Sequence, residues 1–286
     1  MRRSRAVKYA FLVPAVLWIL VVSLFPLASA IYYSLVQYAL GQGVTAFVAF
    51  QNYLDNFHNP TFWHAAWITA VYVAVTVAVE MAFGVALAWS LTKRVWGRQF
   101  FRVLFTAPLF TMGVALGYLG VTLFDADSGP VNFFLGFIGL HPPWIASAFW
   151  GLAAAIILDI WRWTPFVFLV ALAALESVPG EFYEAAALDT RGEWPVFVGI
   201  ALPTIAPVLT IAFLLRLMEA FKVFGLPFAL TSGGPGTSTQ VYSAMVYLTT
   251  LQFFDFGHGS AMGIFFLAVV LLIVLRLFRV MRAQIE

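Results

Sequence analysis

The sequence has no cysteine, and only 10% of its 286 residues are charged. The absence of cysteine excludes disulfide bonds, thiolate metal sites and a cysteine nucleophile. The low charge excludes a water-soluble enzyme or nucleic-acid-binding domain, in which about 25% of residues are charged, and it also excludes a disordered chain. Instead, 63% of the residues are apolar and the mean hydropathy is +0.94. This composition predicts a protein that crosses a membrane several times.

Long apolar runs divide the chain into predicted membrane-spanning helices. A helix needs about 20 apolar residues to cross a bilayer core of about 30 Å. Membrane β-strands would alternate apolar and polar residues, and runs such as 71–91 do not alternate. We therefore predict an all-α integral membrane protein with six transmembrane helices in one domain, 1–286. The predicted spans are 9–33, 65–91, 103–124, 146–175, 204–230 and 260–280.

Basic residues concentrate on one side of the predicted helices. Twelve of the 15 lysines and arginines precede the first span, end the last span, or lie after spans two and four. The loops 34–64, 125–145 and 231–259 contain none. The positive-inside rule then predicts that both termini are cytoplasmic. The N-terminal apolar run also resembles a signal peptide, but its length of about 25 residues favours a retained first helix.

The connector between the fourth and fifth spans, residues 176–203, is acidic. It holds five acidic residues against one basic residue, Arg191. Pro179-Gly180 predicts a turn, and residues 181–189 predict a short helix with small side chains on one face. Two interpretations remain open. The helix either only reconnects two spans, or it docks on a basic cytoplasmic partner.

One motif in this connector resembles a known family. The motif Glu184-Ala185-Ala186-x-x-Asp189 is followed by Phe197, Ile200, Leu202 and Pro203. It resembles the E-A-A motif of binding-protein-dependent ABC importer permeases. The usual Gly-Ala pair after the aspartate is replaced by Thr190-Arg191, with Gly192 following. The resemblance implies a type I ABC importer permease-like bundle in a bacterial or archaeal cytoplasmic (inner) membrane.

Three further segments resemble the carbohydrate branch of that family, the maltose-permease-like subfamily. They are Phe47-x-x-Phe50-x-Asn52-Tyr53, then Trp161-Arg162-Trp163-Thr164-Pro165, and finally Phe221-Lys222-Val223-Phe224 with Thr231-x-Gly233-Gly234-Pro235. Together with the E-A-A motif, they extend the resemblance over nearly the whole chain.

The resemblance implies a mechanism and a set of partners. The chain would be the permease subunit of an ATP-driven sugar importer, with a second permease, two cytoplasmic ATPase subunits and an extracytoplasmic solute-binding protein. The chain lacks the G-x-x-x-x-G-K-[ST] phosphate loop, so the ATPase subunits would bind ATP and magnesium. We expect no cofactor, metal or catalytic residue in the chain itself. The implied ATPase-coupling residues are Glu184, Ala185, Ala186, Asp189, Gly192, Ile200, Leu202 and Pro203.

Apart from Arg276 and Arg279 at the end of the sixth span, six charged residues lie inside the predicted spans, where each costs a few kcal/mol. They are Glu80, Asp159, Arg162, Arg216, Glu219 and Lys222. Asp159 and Arg162 can pair within the fourth span, and the last three can pair within the fifth, because residues three apart share a helix face. Glu80 needs a basic group from another helix or a water-filled cavity. Structural ion pairs and a substrate pathway both remain open.

The resemblance also implies a substrate pathway along the fifth span, at Arg216, Ala220 and Val223. Aromatic rings that could contact a sugar are Trp161, Trp163 and Phe166 in the fourth span and Tyr118 in the third. A neutral sugar or oligosaccharide is favoured, because acidic residues can neutralise the cations. A phosphorylated or sulfonated sugar, a polyol and glycerol phosphate remain open. The alternative function is a secondary transporter or channel driven by an ion gradient.

Overall fold

The computed structural model describes residues 2–92, 96–183 and 192–285, and these residues are mainly helical. Within them, five helices are long and apolar enough to cross a membrane, and one bent helix pair gives a sixth candidate. The prediction of an all-α membrane fold is confirmed. The cytoplasmic placement of both termini stays a prediction. The E-A-A residues Glu184, Ala185, Ala186 and Asp189 lie outside the described residues.

The helices and strands follow in chain order. The first part comprises α1 (Arg2–Ser34), β1 (Val36–Ala39), β2 (Gly43–Phe47), α2 (Gln51–His58), α3 (Pro60–Thr92), α4 (Arg98–Thr106), α5 (Gly113–Leu123) and α6 (Pro130–Gly136). The second part comprises α7 (Ala148–Ser177), α8 (Glu193–Val196), α9 (Leu202–Phe221), α10 (Gly225–Thr231), α11 (Tyr242–Tyr247) and α12 (Phe256–Ile285). The chain divides into two compact units, Met1–Trp63 with Met245–Val269 and His64–Ala244 with Val270–Glu286. The single domain predicted from the sequence stays a prediction.

The first unit contains a β-hairpin that the sequence analysis did not predict. Strands β1 and β2 pair antiparallel, with Val36 opposite Phe47. The side chain of Asn52, on α2, donates hydrogen bonds to the carbonyls of Ser34 at 3.0 Å and Val36 at 2.9 Å. The hydroxyl of Tyr53 lies 2.8 Å from the hydroxyl of Ser34. Within this unit, the Phe-x-Asn-Tyr motif therefore joins α2 to the end of α1 and the start of the hairpin.

The second unit is built around α3, α7 and α9. Its largest apolar cluster combines Val85 and Ala88 of α3 with Phe168 of α7 and Ile205 of α9. Gly84 allows α3 and α7 to approach closely, because a Cβ atom there would lie 2.6 Å from the Cβ of Val167. Small residues at helix interfaces are typical of membrane proteins, where close backbone packing replaces the hydrophobic effect.

The predicted third span, 103–124, is broken rather than continuous. Helix α4 is followed by a 3-10 turn, Ala107–Phe110, and then by α5 at an angle of 99°. Pro108 explains why α4 ends at Thr106, because proline has no N–H donor and clashes with the preceding helical turn. The change of direction itself lies between Phe110 and Gly113. Thr111 and Met112 are extended, with ψ values of 137° and 130°.

The predicted fifth span, 204–230, is also interrupted. Helix α9 ends at Phe221, and α10 begins at Gly225. Pro227 follows at the start of α10, where a missing N–H costs no helical hydrogen bond. Helix α10 packs tightly on α5, because a Cβ atom at Gly117 would lie 2.6 Å from the carbonyl oxygen of Leu226.

Candidate functional site

Three buried charges from three helices meet inside the second unit. They are Glu80 of α3, Asp159 of α7 and Arg216 of α9, which are 0%, 2% and 1% exposed. The guanidinium of Arg216 donates to both carboxylate oxygens of Glu80, with Nε–Oε2 at 2.5 Å and Nη2–Oε1 at 2.9 Å. Its Nη2 also donates to Oδ2 of Asp159 at 2.6 Å. We call these three residues the ion cluster.

The ion cluster answers one expectation from the sequence and corrects another. Glu80 was expected to need either a basic group of another helix or a water-filled cavity, and Arg216 of α9 provides the basic group. Arg216 was also expected to pair within its own helix, but its partners lie on α3 and α7. Glu219 instead pairs with Lys222 at 2.5 Å, on a surface where both side chains are largely exposed. Arg216 pairs with Glu80 and Asp159 rather than with Glu219 because its planar guanidinium can donate hydrogen bonds to two carboxylates at once.

Trp163 extends the ion cluster towards a second arginine. The guanidinium carbons of Arg162 and Arg216 lie 5.1 Å and 4.9 Å from the centre of the Trp163 ring. Cations at this distance from an indole ring are attracted by its π electrons. Arg162 also lies 3.9 Å from Asp159. Trp163, one of the four rings that could contact a sugar, therefore already contacts two cations.

A cavity of about 260 Å³ lies beside the ion cluster. Its charged and aromatic wall contains Asp159, Arg162, Trp163, Arg216, Glu219 and Lys222, and the rest of its wall contains Gly113, Val114, Val223, Phe224, Gly225 and Leu226. This cavity, which we call the polar cavity, therefore meets both helix breaks. In membrane proteins, irregular backbone is tolerated where it is buried in protein or lines a cavity that holds water or solute.

Arg162 connects the ion cluster to the first of these breaks. Its Nε donates a hydrogen bond of 3.0 Å to the carbonyl oxygen of Thr111. Because the chain is extended at Thr111, that carbonyl does not enter a helical ladder, and Arg162 supplies its donor. Gly113 leaves room for this arrangement, since a Cβ atom there would lie 3.2 Å from Nη1 of Arg162.

The other predicted pathway residues do not all line the polar cavity. Val223 lines the polar cavity, whereas Ala220 is buried in an apolar cluster with Val73 and Val77. Trp161 lines a separate apolar cavity of about 660 Å³. The structure therefore brings Arg216 and Val223 to one cavity, whereas Ala220 packs against α3 instead.

Two more predicted aromatic residues lie outside the polar cavity. Phe166 packs edge-on against Trp163, with ring centres 6.0 Å apart. Tyr118 is 66% exposed on α5. Sequence analysis missed the backbone of Gly113 and Gly225 as cavity wall. Glycine close to proline inside a predicted span was the signal that could have identified both.

The described part of the predicted coupling segment lies at one end of α7 and α9. Glu176, near the end of α7, pairs with Arg98 of α4 at 2.5 Å, with both side chains partly exposed. Gly192 has φ of +118°, a backbone conformation that favours glycine. Ile200 lies in a π-helical turn, and Leu202 and Pro203 begin α9.

Comparisons with known proteins agree with this architecture. Residues 80–285 match a family described as "Binding-protein-dependent transport system inner membrane component". The probable ABC transporter permease protein y4oQ of Sinorhizobium fredii is 33% identical, over 97% of this chain and 93% of its own length. The sulfoquinovosyl glycerol transport system permease protein SmoG of Agrobacterium fabrum is 30% identical, over 98% and 92%.

A solved structure is similar over the full length of both chains. It is a crystal structure of a bacterial ABC transporter involved in the import of the acidic polysaccharide alginate, with a TM-score of 0.85 and 25% identity. The family match, the relatives and this structure agree with the apolar helices of the chain. The protein is thus a multi-pass membrane protein that belongs to the family of binding-protein-dependent transport system inner membrane components.

Proposed function

We propose that this chain is the membrane-spanning permease subunit of an ATP-driven importer for a sugar or sugar-like solute. One observation supports the proposal above all. The polar cavity lies among helices that match the transport family, and two helix breaks border it. Backbone groups at such breaks, together with charged and aromatic side chains, suit a solute with many hydroxyl groups.

The energy would come from other subunits. The sequence has no phosphate loop, so two cytoplasmic ATPase subunits would bind ATP and magnesium and hydrolyse the nucleotide. A second permease would complete the pathway, and an extracytoplasmic solute-binding protein would deliver the solute. The acidic segment 176–203 would dock on the ATPase, with Glu184 as its charged contact. This chain would then be a transport subunit and not an enzyme.

The charges around the polar cavity favour a neutral sugar. Arg216 is compensated by Glu80 and Asp159, and Lys222 is compensated by Glu219. A neutral solute can accept and donate hydrogen bonds here without disturbing this balance. An acidic sugar is the second candidate, because SmoG and the alginate transporter are named for acidic saccharides. Arg162 lies 3.9 Å from the carboxylate of Asp159, so its charge is the least well compensated of the three cations.

Uptake by the reconstituted transporter tests both points. The chain, its partner subunits and the solute-binding protein would be placed in proteoliposomes, and uptake of neutral and acidic sugars would be measured. We expect ATP-dependent uptake of a neutral sugar. Uptake without ATP, driven by an ion gradient, would contradict the proposal and favour a secondary transporter or channel. Uptake of an acidic sugar that falls at least tenfold in Arg162→Gln would establish the second candidate.

A further inference from the structure

The connector between α5 and α7 has an unusual distribution of polarity. Residues 128–158 contain no aspartate, glutamate, lysine or arginine. Within this stretch lies α6, whose polar residue Asn132 is only 4% exposed. Four large apolar side chains point outwards instead and are 66–75% exposed, namely Phe133, Phe134, Phe137 and Ile138. We call these four residues the aromatic face.

Hydrogen bonds from Asn132 determine which side of α6 points inwards. Its Nδ2 donates to the carbonyls of Ala126 at 3.0 Å and Pro142 at 3.1 Å. Its Oδ1 accepts a hydrogen bond of 2.8 Å from the indole N–H of Trp144. Trp144 is buried and packs on Phe124, with ring centres 4.9 Å apart. Turning α6 over would break the three hydrogen bonds of Asn132, so these bonds fix the outward direction of the aromatic face.

The turn before α6 is acidic and polar, in contrast to the apolar aromatic face. The carboxylate of Asp125 accepts hydrogen bonds from the backbone N–H groups of Ser128 at 2.8 Å and Asp127 at 3.2 Å. The pKa of Asp125 lies below its ordinary value, because its carboxylate accepts hydrogen bonds, above all from Ser128. A carboxylate with an ordinary or lowered pKa is ionised at neutral pH. An ionised turn requires water. The boundary between an aqueous and an apolar environment therefore falls between this turn and the aromatic face.

The length of α7 places this boundary at a membrane surface. Its 30 residues span about 45 Å at about 1.5 Å per residue. The partly exposed ion pair of Arg98 with Glu176 marks one end of α7. A bilayer with its headgroups is about 40–45 Å thick, so Ala148 at the other end reaches the opposite headgroup region. Helix α6, with seven residues, is too short to cross the membrane and is connected to that end.

We propose that the aromatic face is a lipid-binding surface that enters the interfacial zone of the leaflet opposite to Arg98 and Glu176. The side chains of phenylalanine and isoleucine carry no hydrogen-bonding group, and the stretch 128–158 has no aspartate, glutamate, lysine or arginine that would be costly in lipid. A short element with an apolar outer face is suited to the boundary between headgroups and acyl chains. It would hold the connector between α5 and α7, the two helices that contribute Gly113 and Arg162 to the polar cavity.

Site-directed spin labelling tests this proposal directly, because the natural chain has no cysteine to remove. Phe137→Cys and Ile138→Cys would be made separately in the full-length chain, spin-labelled, assembled with the partner subunits and reconstituted in phospholipid nanodiscs. The matched control is Ala126→Cys, an exposed position in the acidic turn. Power-saturation electron paramagnetic resonance would compare collisions with oxygen, which concentrates in lipid, and with a water-soluble nickel chelate.

We expect labels at 137 and 138 to collide mainly with oxygen and the label at 126 to collide mainly with the nickel chelate. The ratio of the two collision rates should differ at least fivefold between the two sites. Equal access to nickel at all three positions would overturn the proposal. Protection of 137 and 138 from both reagents would also overturn it, since that result would indicate burial against protein. Two separate labels keep the test valid if one variant fails to insert.

Discussion

Arg216 and Glu80 are 136 positions apart in the sequence and form a bidentate ion pair, with their closest atoms 2.5 Å apart. Asp159 completes the arrangement from a third helix. Because all three side chains are buried in a membrane protein, each charge depends on the others for stabilisation. The ion cluster therefore fixes the relative register of α3, α7 and α9 at the wall of the polar cavity.

Loss of one carboxylate from the ion cluster should destabilise the protein. Glu80→Gln leaves Arg216 with Asp159 as its remaining carboxylate, and breaking a buried ion pair typically costs about 3–5 kcal/mol. We expect a clear fall in the apparent melting temperature of the purified protein. The matched control is Glu219→Gln, whose exposed pair with Lys222 contributes about 0–1 kcal/mol. Similar melting temperatures for the two variants would contradict this account.

The contact between α5 and α10 should tolerate no side chain larger than hydrogen at Gly117. A Cβ atom there would lie 2.6 Å from the carbonyl oxygen of Leu226 and 2.7 Å from the Cβ of Ala229. Gly117→Ala should therefore lower the free energy of unfolding by about 1–3 kcal/mol through overpacking. Gly199→Ala is the control, because the space around Gly199 is open. A denaturant titration that finds both variants equally stable would show that the α5–α10 contact can relax.

The hairpin of the first unit should depend on Asn52. Its side chain is 3% exposed and donates to two carbonyls, so Asn52→Ala leaves both without that donor. An unsatisfied buried polar group costs about 1–3 kcal/mol. We expect limited proteolysis to cut residues 36–58 of the full chain faster in this variant. Gln51→Ala, which removes only an exposed bond to Asp55, should be cut at the natural rate.

The predicted coupling role of Glu184 can be separated from a general effect of charge. Glu184→Lys reverses the charge that would face a basic cleft on the ATPase, and like charges in contact oppose docking. We expect uptake to fall at least tenfold while membrane insertion is unchanged. Glu181→Lys, three residues earlier in the same acidic segment and exposed, should retain uptake. Equal uptake by the two variants would exclude Glu184 as the docking contact.

Sequence alone identified the features that depend on local composition. Apolar runs long enough for a bilayer predicted the spans, since hydrocarbon excludes any segment that cannot satisfy its own backbone. The E-A-A motif pointed to the family because its residues are close in sequence. The two helix breaks were harder to predict from the sequence. Pro108 and Gly225 signalled them, but membrane helices often tolerate such residues, so only the surrounding packing decides whether the helix continues.

Tertiary structure decided which charges meet. Sequence spacing favoured pairs three residues apart, and that rule holds for Glu219 with Lys222. It failed for Arg216, whose partners lie 136 and 57 positions away on other helices. A buried guanidinium is stabilised most by two carboxylates in bidentate geometry, and only the packing of α3, α7 and α9 supplies them. The polarity of α6 was decided in the same way, because the three-dimensional partners of Asn132 determine which of its sides turns outwards.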